Sequence, residues 1–386
     1  MKIFSVYYRH KRGGFNRRLY RLYQGLADRG IHLHYLALEA LPVRHANIFC
    51  HRLQMPLGRR ENTLFWCLFL LWAPLACLWQ IWRLRPERIV VFSSFYAFVC
   101  APAAWVLKRP MVTFLRADVT AEAILQQKSM LRVRMLDRFQ KIGLACSSRV
   151  VTASETMRRD VQRRSRGIRA TVLPNDVTAP AAASGKEKAA VRGRYGLEDA
   201  EFVIVTAAPL SPLKNIDFLI RAFAQLDTVE GRLVVVGDDL YDGGERRRLE
   251  QLAAAITRPG RVVFTGWLES PFPVIAAADL FVFPSAREGS PNALLEALGC
   301  GVPCLGGRIP EIIEVLAYDE LLFSITATAE LREKLIRAAG DIEFRRRLAA
   351  LSAERRDHFT FDWESAAVEL VLATPSAPAQ SRNHWF

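Results

Sequence analysis

Between Arg287 and Ala297 the chain reads Arg-Glu-Gly-Ser-Pro-Asn-Ala-Leu-Leu-Glu-Ala, with Gly301-Val302-Pro303 close behind. Two carboxylates, Glu288 and Glu296, bracket a loop that turns into a helix. Ser290 is of the type that caps a helix, and Pro291 suits a first turn. Glu288 then sits on the loop, and Glu296 a turn or two inside the helix. The backbone N–H groups of residues 289–292 (Gly289, Ser290, Pro291, Asn292) are expected to face the same space and favour an anion. A phosphate site and two acceptors for hydroxyls in one small volume are what a sugar nucleotide needs. The alternative is a capped surface helix carrying two solvated glutamates.

The elements around this segment must position it. Phe281-Val282-Phe283-Pro284-Ser285 is a short apolar run ending in Pro-Ser and reads as a buried strand. Val262 to Gly266 and Leu233 to Gly237 read the same way. Strands that end in Gly or Ser and are followed by helical stretches imply a parallel α/β sheet. Ligands of such sheets bind beyond the carboxyl ends of the strands, where Ser285 to Glu296 lies.

With these motifs in place the chain resembles the retaining GT-B glycosyltransferases, in particular the family-4 group. The likeness rests on Glu288 and Glu296 with seven residues between them, Gly301-Val302-Pro303 and Ile309-Pro310-Glu311-Ile312. It extends to Ser211-Pro212-Leu213-Lys214-Asn215, Val236-Gly237-Asp238 and Leu173-Pro174-Asn175-Asp176-Val177. Near the start, Gly13-Gly14-Phe15-Asn16-Arg17 and Leu26-Ala27-Asp28-Arg29-Gly30 also fit. The resemblance implies an α/β chain of the GT-B fold, two Rossmann-like domains with a cleft between them. It further implies a sugar transfer that retains the anomeric configuration, with Glu288 on the donor sugar and Glu296 on the ribose hydroxyls.

Breaking a glycosidic bond to a diphosphate loads charge onto the leaving group, and cations aimed at that charge lower the barrier. Lys214, after a strand and a Ser-Pro turn, is the expected cation. Its bland alternative is a solvated lysine opening a helix. Gly14 and its neighbour Gly13 would let a backbone approach a ligand closely, and Gly237 is expected at the nucleotide pocket. Two positions depart from the family pattern. An arginine usual five residues before the lysine is Pro209 here, so Arg116, Arg17 or Arg12 would have to replace it. A histidine usual after the fourth strand is absent from Thr113-Phe114-Leu115-Arg116-Ala117-Asp118, which leaves Arg116 and Asp118 to contact the sugar. Neither metal nor cofactor is expected, since the nucleotide sugar enters as a substrate. Asp238-Asp239 reads as a rim of the pocket.

A chain of 386 residues suits two domains, and a hydrophobic fraction of 51% excludes disorder throughout. Seven scattered cysteines form no Cys-x-x-Cys pair, which argues against structural zinc and for a reducing compartment. Met1 to Tyr7 has too short an apolar core for a signal peptide and reads as the first strand. Charge divides unevenly. Residues 1–178 carry 30 Lys and Arg against 10 Asp and Glu, and the remainder carries 23 against 29. A basic first half suits nucleic acid or an anionic membrane.

Asn62 to Trp82 weighs between those partners, because it holds no charge and four tryptophans, with arginines at 59, 60, 83, 85 and 88 around it. It qualifies by length as a membrane span, but the strand at 88–94 must return to the same sheet. An interfacial element is favoured over a core helix, with spanning third. Pro74 should kink it or break it into two short helices. Lys128 to Lys141 reads either as a basic amphipathic helix for a membrane surface or as an ordinary surface helix.

The expected order is a basic, membrane-facing, acceptor-binding domain over 1–178, a nucleotide-sugar domain over 179–373 with a terminal crossover helix, and a flexible tail over 374–386. Strands are expected near 2–7, 32–38, 89–93, 111–115, 149–152 and 170–173, then near 202–207, 233–236, 262–265 and 280–283. The leading function is transfer from a UDP or GDP sugar to a lipid-linked or cell-envelope glycan acceptor. The partners are then donor, acceptor and an anionic membrane surface, with the protein peripheral on the cytoplasmic, inner face of the cell membrane. The alternative is a catalytically degenerate GT-B protein that binds sugar nucleotides or glycolipids. No nucleic-acid partner is expected, because no reading motif is present.

Overall fold

The structure is a computed structural model and describes residues 1–10, 14–55, 63–116, 129–165, 167–177, 184–198, 200–226, 230–239 and 243–373. The chain forms two compact units: Met1–Pro174 together with the chain from Asp362, and Asn175–Phe361.

The first unit holds strands β1 (Lys2–Val6), β2 (His32–Ala37), β3 (Ile48–Arg52), β4 (Arg88–Phe92), β5 (Met111–Leu115), β6 (Arg149–Thr152) and β7 (Ala170–Val172). They pair in parallel in the order β3-β2-β1-β4-β5-β6-β7. Its helices are α1 (Gly14–Asp28), α2 (Thr63–Leu84), α3 (Ser94–Val106), α4 (Met130–Ala145) and α5 (Glu155–Arg164). The central strands β4 and β5 are near-continuous apolar runs because helices cover both faces of a parallel sheet. α1 stops as its sequence requires. Gly30 takes a φ of 73°, its N–H reaches Ala27 O, and the N–H of Ile31 reaches Leu26 O.

The second unit begins with α6 (Gly185–Arg194) and continues through β8 (Phe202–Ala207), α7 (Ile216–Ala224), β9 (Gly231–Val236), α8 (Glu245–Ile256), β10 (Val262–Gly266) and α9 (Phe272–Ala276). β11 (Leu280–Phe283), α10 (Asn292–Gly299), β12 (Cys304–Gly307), α11 (Pro310–Leu316), β13 (Leu322–Phe323), α12 (Thr328–Gly340) and α13 (Ile342–His358) complete it. The parallel sheet runs β10-β9-β8-β11-β12-β13. In each unit the first strand lies between the second and the fourth. The chain therefore leaves in opposite directions on the two sides of that strand, and a crevice opens at its carboxyl end.

Two expectations change. β3, β12 and β13 join the strands anticipated from the sequence. The last helix, α14 (Trp363–Leu372), belongs to the first unit, the place that a terminal crossover helix takes. Its apolar face explains this: Trp363, Ala367, Val368 and Val371 are buried. Its end is held by the guanidinium of Arg88 on Val371 O at 2.6 Å and that of Arg149 on Leu370 O at 3.0 Å. Cations suit the carbonyl end of a helix. Second, Pro74 does not divide the apolar segment, since α2 is one helix of 22 residues. Phe69, Ala73 and Cys77 are buried on one side of the proline's turn and across it, which keeps both halves seated on the protein. The tail over 374–386 lies outside the described residues.

Candidate functional site

Two strand-end loops meet at the crossover of the second sheet. β8 is followed by a single 3-10 turn, Pro212–Lys214, and then by Asn215 in the left-handed region at φ 53°. The Asn215 side-chain amide donates to Pro284 O at 3.2 Å, beyond the end of β11. In return the N–H of Ala286 donates to Leu213 O at 2.9 Å. These bonds clasp the loops and aim Lys214 across the gap. Its ammonium donates to Glu288 Oε1 at 2.6 Å, and the Ser285 hydroxyl donates to the same oxygen at 2.5 Å. The Glu288 side chain is 8% exposed and that of Lys214 21%. A charge-assisted pair at this distance, mostly out of water, fixes both groups tightly.

A third loop lines the same edge. Gly237 follows β9 with φ 139°, and a Cβ there would lie 1.9 Å from Ala208 O. Only glycine lets the two backbones come so close. Asp238 and Asp239 turn to Arg246 at the start of α8: Asp238 Oδ2 accepts from its guanidinium at 2.9 Å and Asp239 Oδ1 from its backbone N–H at 3.0 Å.

The Glu288–Glu296 segment adopts the loop-then-helix form expected, with different capping. The residue before the first turn is Pro291, and no side chain caps the helix. The Ser290 hydroxyl instead accepts from the Asn175 amide at 2.7 Å, and Asn175 also donates to Asn292 Oδ1 at 2.6 Å. The expected row of N–H groups over 289–292 is thereby shortened. Pro291 has no N–H, and that of Asn292 donates to Ser290 O at 2.8 Å. Glu296 lies half-buried in the second turn of α10. Its charge, after burial, helps push the Cys300 thiol up to about 11.

Lys214, Ser285 and Glu288 therefore come together, with Gly237 on the adjoining loop. Ser290 and Asn292 gather on Asn175 instead. The part of Ser285 was not anticipated, though its place at the strand end was. Asn175 was recognised only as part of a motif, and nothing in its spacing shows that it ties the loop before α10. Glu311, in the first turn of α11, also faces this region. Burial raises its carboxyl above the usual range, and the charge of Glu288 adds to the effect.

The remaining expected residues lie in the first unit. Gly14 opens α1. Arg116 follows β5, is 8% exposed, and stands with its guanidinium 5.9 Å from the Trp363 ring centroid. Asp118 and Gly13 lie outside the described residues. An aromatic group unforeseen in the sequence gathers at the carboxyl end of β1. Tyr7 is 5.4 Å from Tyr96, and Tyr8 is 5.5 Å from Trp66, between ring centroids. The Tyr7 hydroxyl donates to Asn16 Oδ1 at 2.7 Å.

Residues 201–341 match the family model of glycosyl transferases group 1, and residues 13–176 match that of the glycosyl transferase 4-like domain. The chain belongs to the GT-B glycosyltransferases of group 1. Among its relatives, N-acetyl-alpha-D-glucosaminyl L-malate synthase of Bacillus anthracis is 28% identical over 42% of this chain and 43% of its own length. The lipopolysaccharide core biosynthesis glycosyltransferase LpsD of Rhizobium meliloti (strain 1021) is 31% identical over 40% of this chain and 43% of its own. The matches thus span less than half of either relative. HepE of Anabaena, solved with UDP-glucose, superposes with a TM-score of 0.75 at 19% identity, over 96% of this chain and 99% of that one. At that identity the likeness speaks for the fold.

Proposed function

We propose that the chain is a retaining glycosyltransferase that moves a sugar from a UDP or GDP donor to a lipid-linked or cell-envelope glycan acceptor. The observation that carries this reading is the Lys214–Glu288–Ser285 group at the crossover of the second sheet. Glu288 holds the lysine ammonium where a diphosphate would lie, and Lys214 draws off the negative charge that builds as the sugar leaves. The loop from Gly289 to Asn292 and Gly237 shape the nucleotide site, and the family resemblance assigns Gly14 to the phosphates. Glu296 accepts the ribose hydroxyls, as a carboxylate does in other nucleotide-binding sheets. Arg116 and Asp118 serve the donor sugar. The acceptor oxygen attacks the anomeric carbon on the face that the phosphate leaves. Its proton passes to a phosphate oxygen, and because the acceptor itself displaces the phosphate no covalent enzyme intermediate forms. No cation is needed, because Lys214 takes its part. The name of LpsD supports an envelope acceptor, and UDP-glucose in HepE supports a nucleotide-sugar donor. The place of work is the cytoplasmic, inner face of the cell membrane.

Pro209, in the place of a usual arginine, favours a second reading in which the site binds a donor without turning it over. Slow hydrolysis of UDP- and GDP-sugars decides between the two. Glu288→Ala is expected to lower that hydrolysis about a hundredfold or more, the scale for loss of a preorganised electrostatic group. Hydrolysis that is undetectable in the unaltered protein, despite donor binding, supports the second reading. Turnover that persists in chelator is expected, and its loss would contradict a cation-free mechanism.

A further inference from the structure

α2, α3 and α4 lie side by side on one face of the first sheet, with α3 in the middle. The packing among them is close. A Cβ at Gly143 of α4 would stand 2.5 Å from Phe98 N of α3, and the Phe98 and Phe139 rings stack at 4.2 Å. On the other side, the thiols of Cys77 and Cys100 are 3.9 Å apart. The outer face of this rigid layer is apolar. Along α2 the exposed large apolar residues are Leu64, Leu71, Trp72, Leu75, Trp79 and Trp82, which recur at helical spacing, with Cys67 and Arg83 exposed beside them. Leu71 is 70% exposed and Trp82 61%. α3 adds Trp105 at 72%, and α4 adds Leu131 at 79% with Met130, Met135 and Ile142. A continuous patch of this kind marks a surface built to be covered.

Cations accompany it. Arg83 stands 5.3 Å from the Trp79 ring centroid. Arg132, Arg134, Arg138 and Lys141 are exposed along α4 beside its apolar residues, against one acid, Asp137, which is paired with Lys141 at 2.8 Å. Tryptophan with flanking arginine suits the boundary between acyl chains and headgroups. We infer that the outer face of α2, α3 and α4 docks in the plane of an anionic bilayer, with α2 lying along the surface. The helix enters and leaves on the same side, because β4 follows it and pairs directly with β1. Insertion is therefore of the order of 5–10 Å and does not cross the membrane. The surface takes its purpose from the reading of the acceptor as lipid-linked, and brings the first unit to where such an acceptor resides.

The test is co-sedimentation of the full chain with vesicles of phosphatidylcholine alone and of phosphatidylcholine mixed with phosphatidylglycerol. Binding to the mixed vesicles is expected. It should fall at least tenfold in the triple variant Trp72→Ser, Trp79→Ser, Trp82→Ser, and roughly fivefold for each of Arg134→Ala and Arg138→Ala. All of these side chains are exposed, so folding and donor hydrolysis should be unchanged. An unaltered protein that leaves both kinds of vesicle unbound overturns the inference, as does a triple variant that binds undiminished. Self-association that the triple variant abolishes, without vesicle binding, also overturns it and assigns the face to a second copy. Vesicle binding without donor hydrolysis leaves the surface standing while the catalytic reading fails.

Discussion

At the scale of single residues, Lys214 and Gly237 show how differently two positions of one motif set are constrained. Lys214 is held by chemistry, through a 2.6 Å bond to Glu288. Gly237 is held by space, since Ala208 O occupies the volume of any Cβ and φ is 139°. Gly237→Ala should therefore displace the loop after β9 and cost about 1–3 kcal/mol, the range for overpacking a well-fitted site. Thermal unfolding and nucleotide titration of the variant check this, and both should worsen together. An Ala variant with unchanged melting and binding would mean that the two loops part without penalty. Lys214 and Glu288, which the structure pairs, stood out in the sequence because charge at a strand end has few explanations. Ser290 was misjudged because its type suits two partners equally: the backbone of the next turn, or the side chain of Asn175. A partner more than a hundred residues away leaves no trace in local spacing.

At the scale of elements, the long apolar strands declared themselves and the short or polar ones did not. β12 is Cys-Leu-Gly-Gly and β13 two residues, too brief for any periodicity. Its glycines answer to packing instead, since a Cβ at Gly306 would stand 2.5 Å from the Ile312 side chain. β3 has no clean alternation because it is an edge strand held by cross-strand side chains. His34 Nδ1 and His51 Nε2 are 3.0 Å apart, and Phe49 stacks on His34 at 4.8 Å. Burial, then the neighbouring His51, lowers His34 from 6.5 to about 4, and burial also lowers His51. Histidines held neutral in the fold favour it above the unfolded value of 6.5. That contribution fades as pH falls and is gone once pH passes below about 4. Melting temperature should decline on the acid side of pH 6.5, and His51→Gln should flatten the decline. A decline of the same steepness in the variant would place the acid sensitivity elsewhere.

At the scale of the whole molecule, the two sheets share one topology and divide the charge. The first 178 residues carry a surplus of twenty cations, and the remainder a surplus of six acids. The basic unit exposes the tryptophan-rich face of α2, and the other holds the Lys214–Glu288 pair. That division was legible from the placement of charge along the sequence, the parallel sheets from the alternation of apolar runs with helical stretches, and the GT-B family from the resemblance of its motifs. The role of α14 as a crossover helix came from the family resemblance, because its apolar face alone shows that the helix must be buried without showing against which unit. The central claim is that the crossover of the second sheet binds a nucleoside diphosphate. Thermal stabilisation of the purified protein by UDP, GDP, ADP and CMP, with Glu296→Ala alongside, tests it most directly. A ligand at a hundred times its Kd raises stability by about 2.7 kcal/mol when it binds only the folded state. A clear upward shift with UDP or GDP, lost in Glu296→Ala, is the predicted result. A well-folded protein whose melting temperature moves with none of the four would contradict the claim.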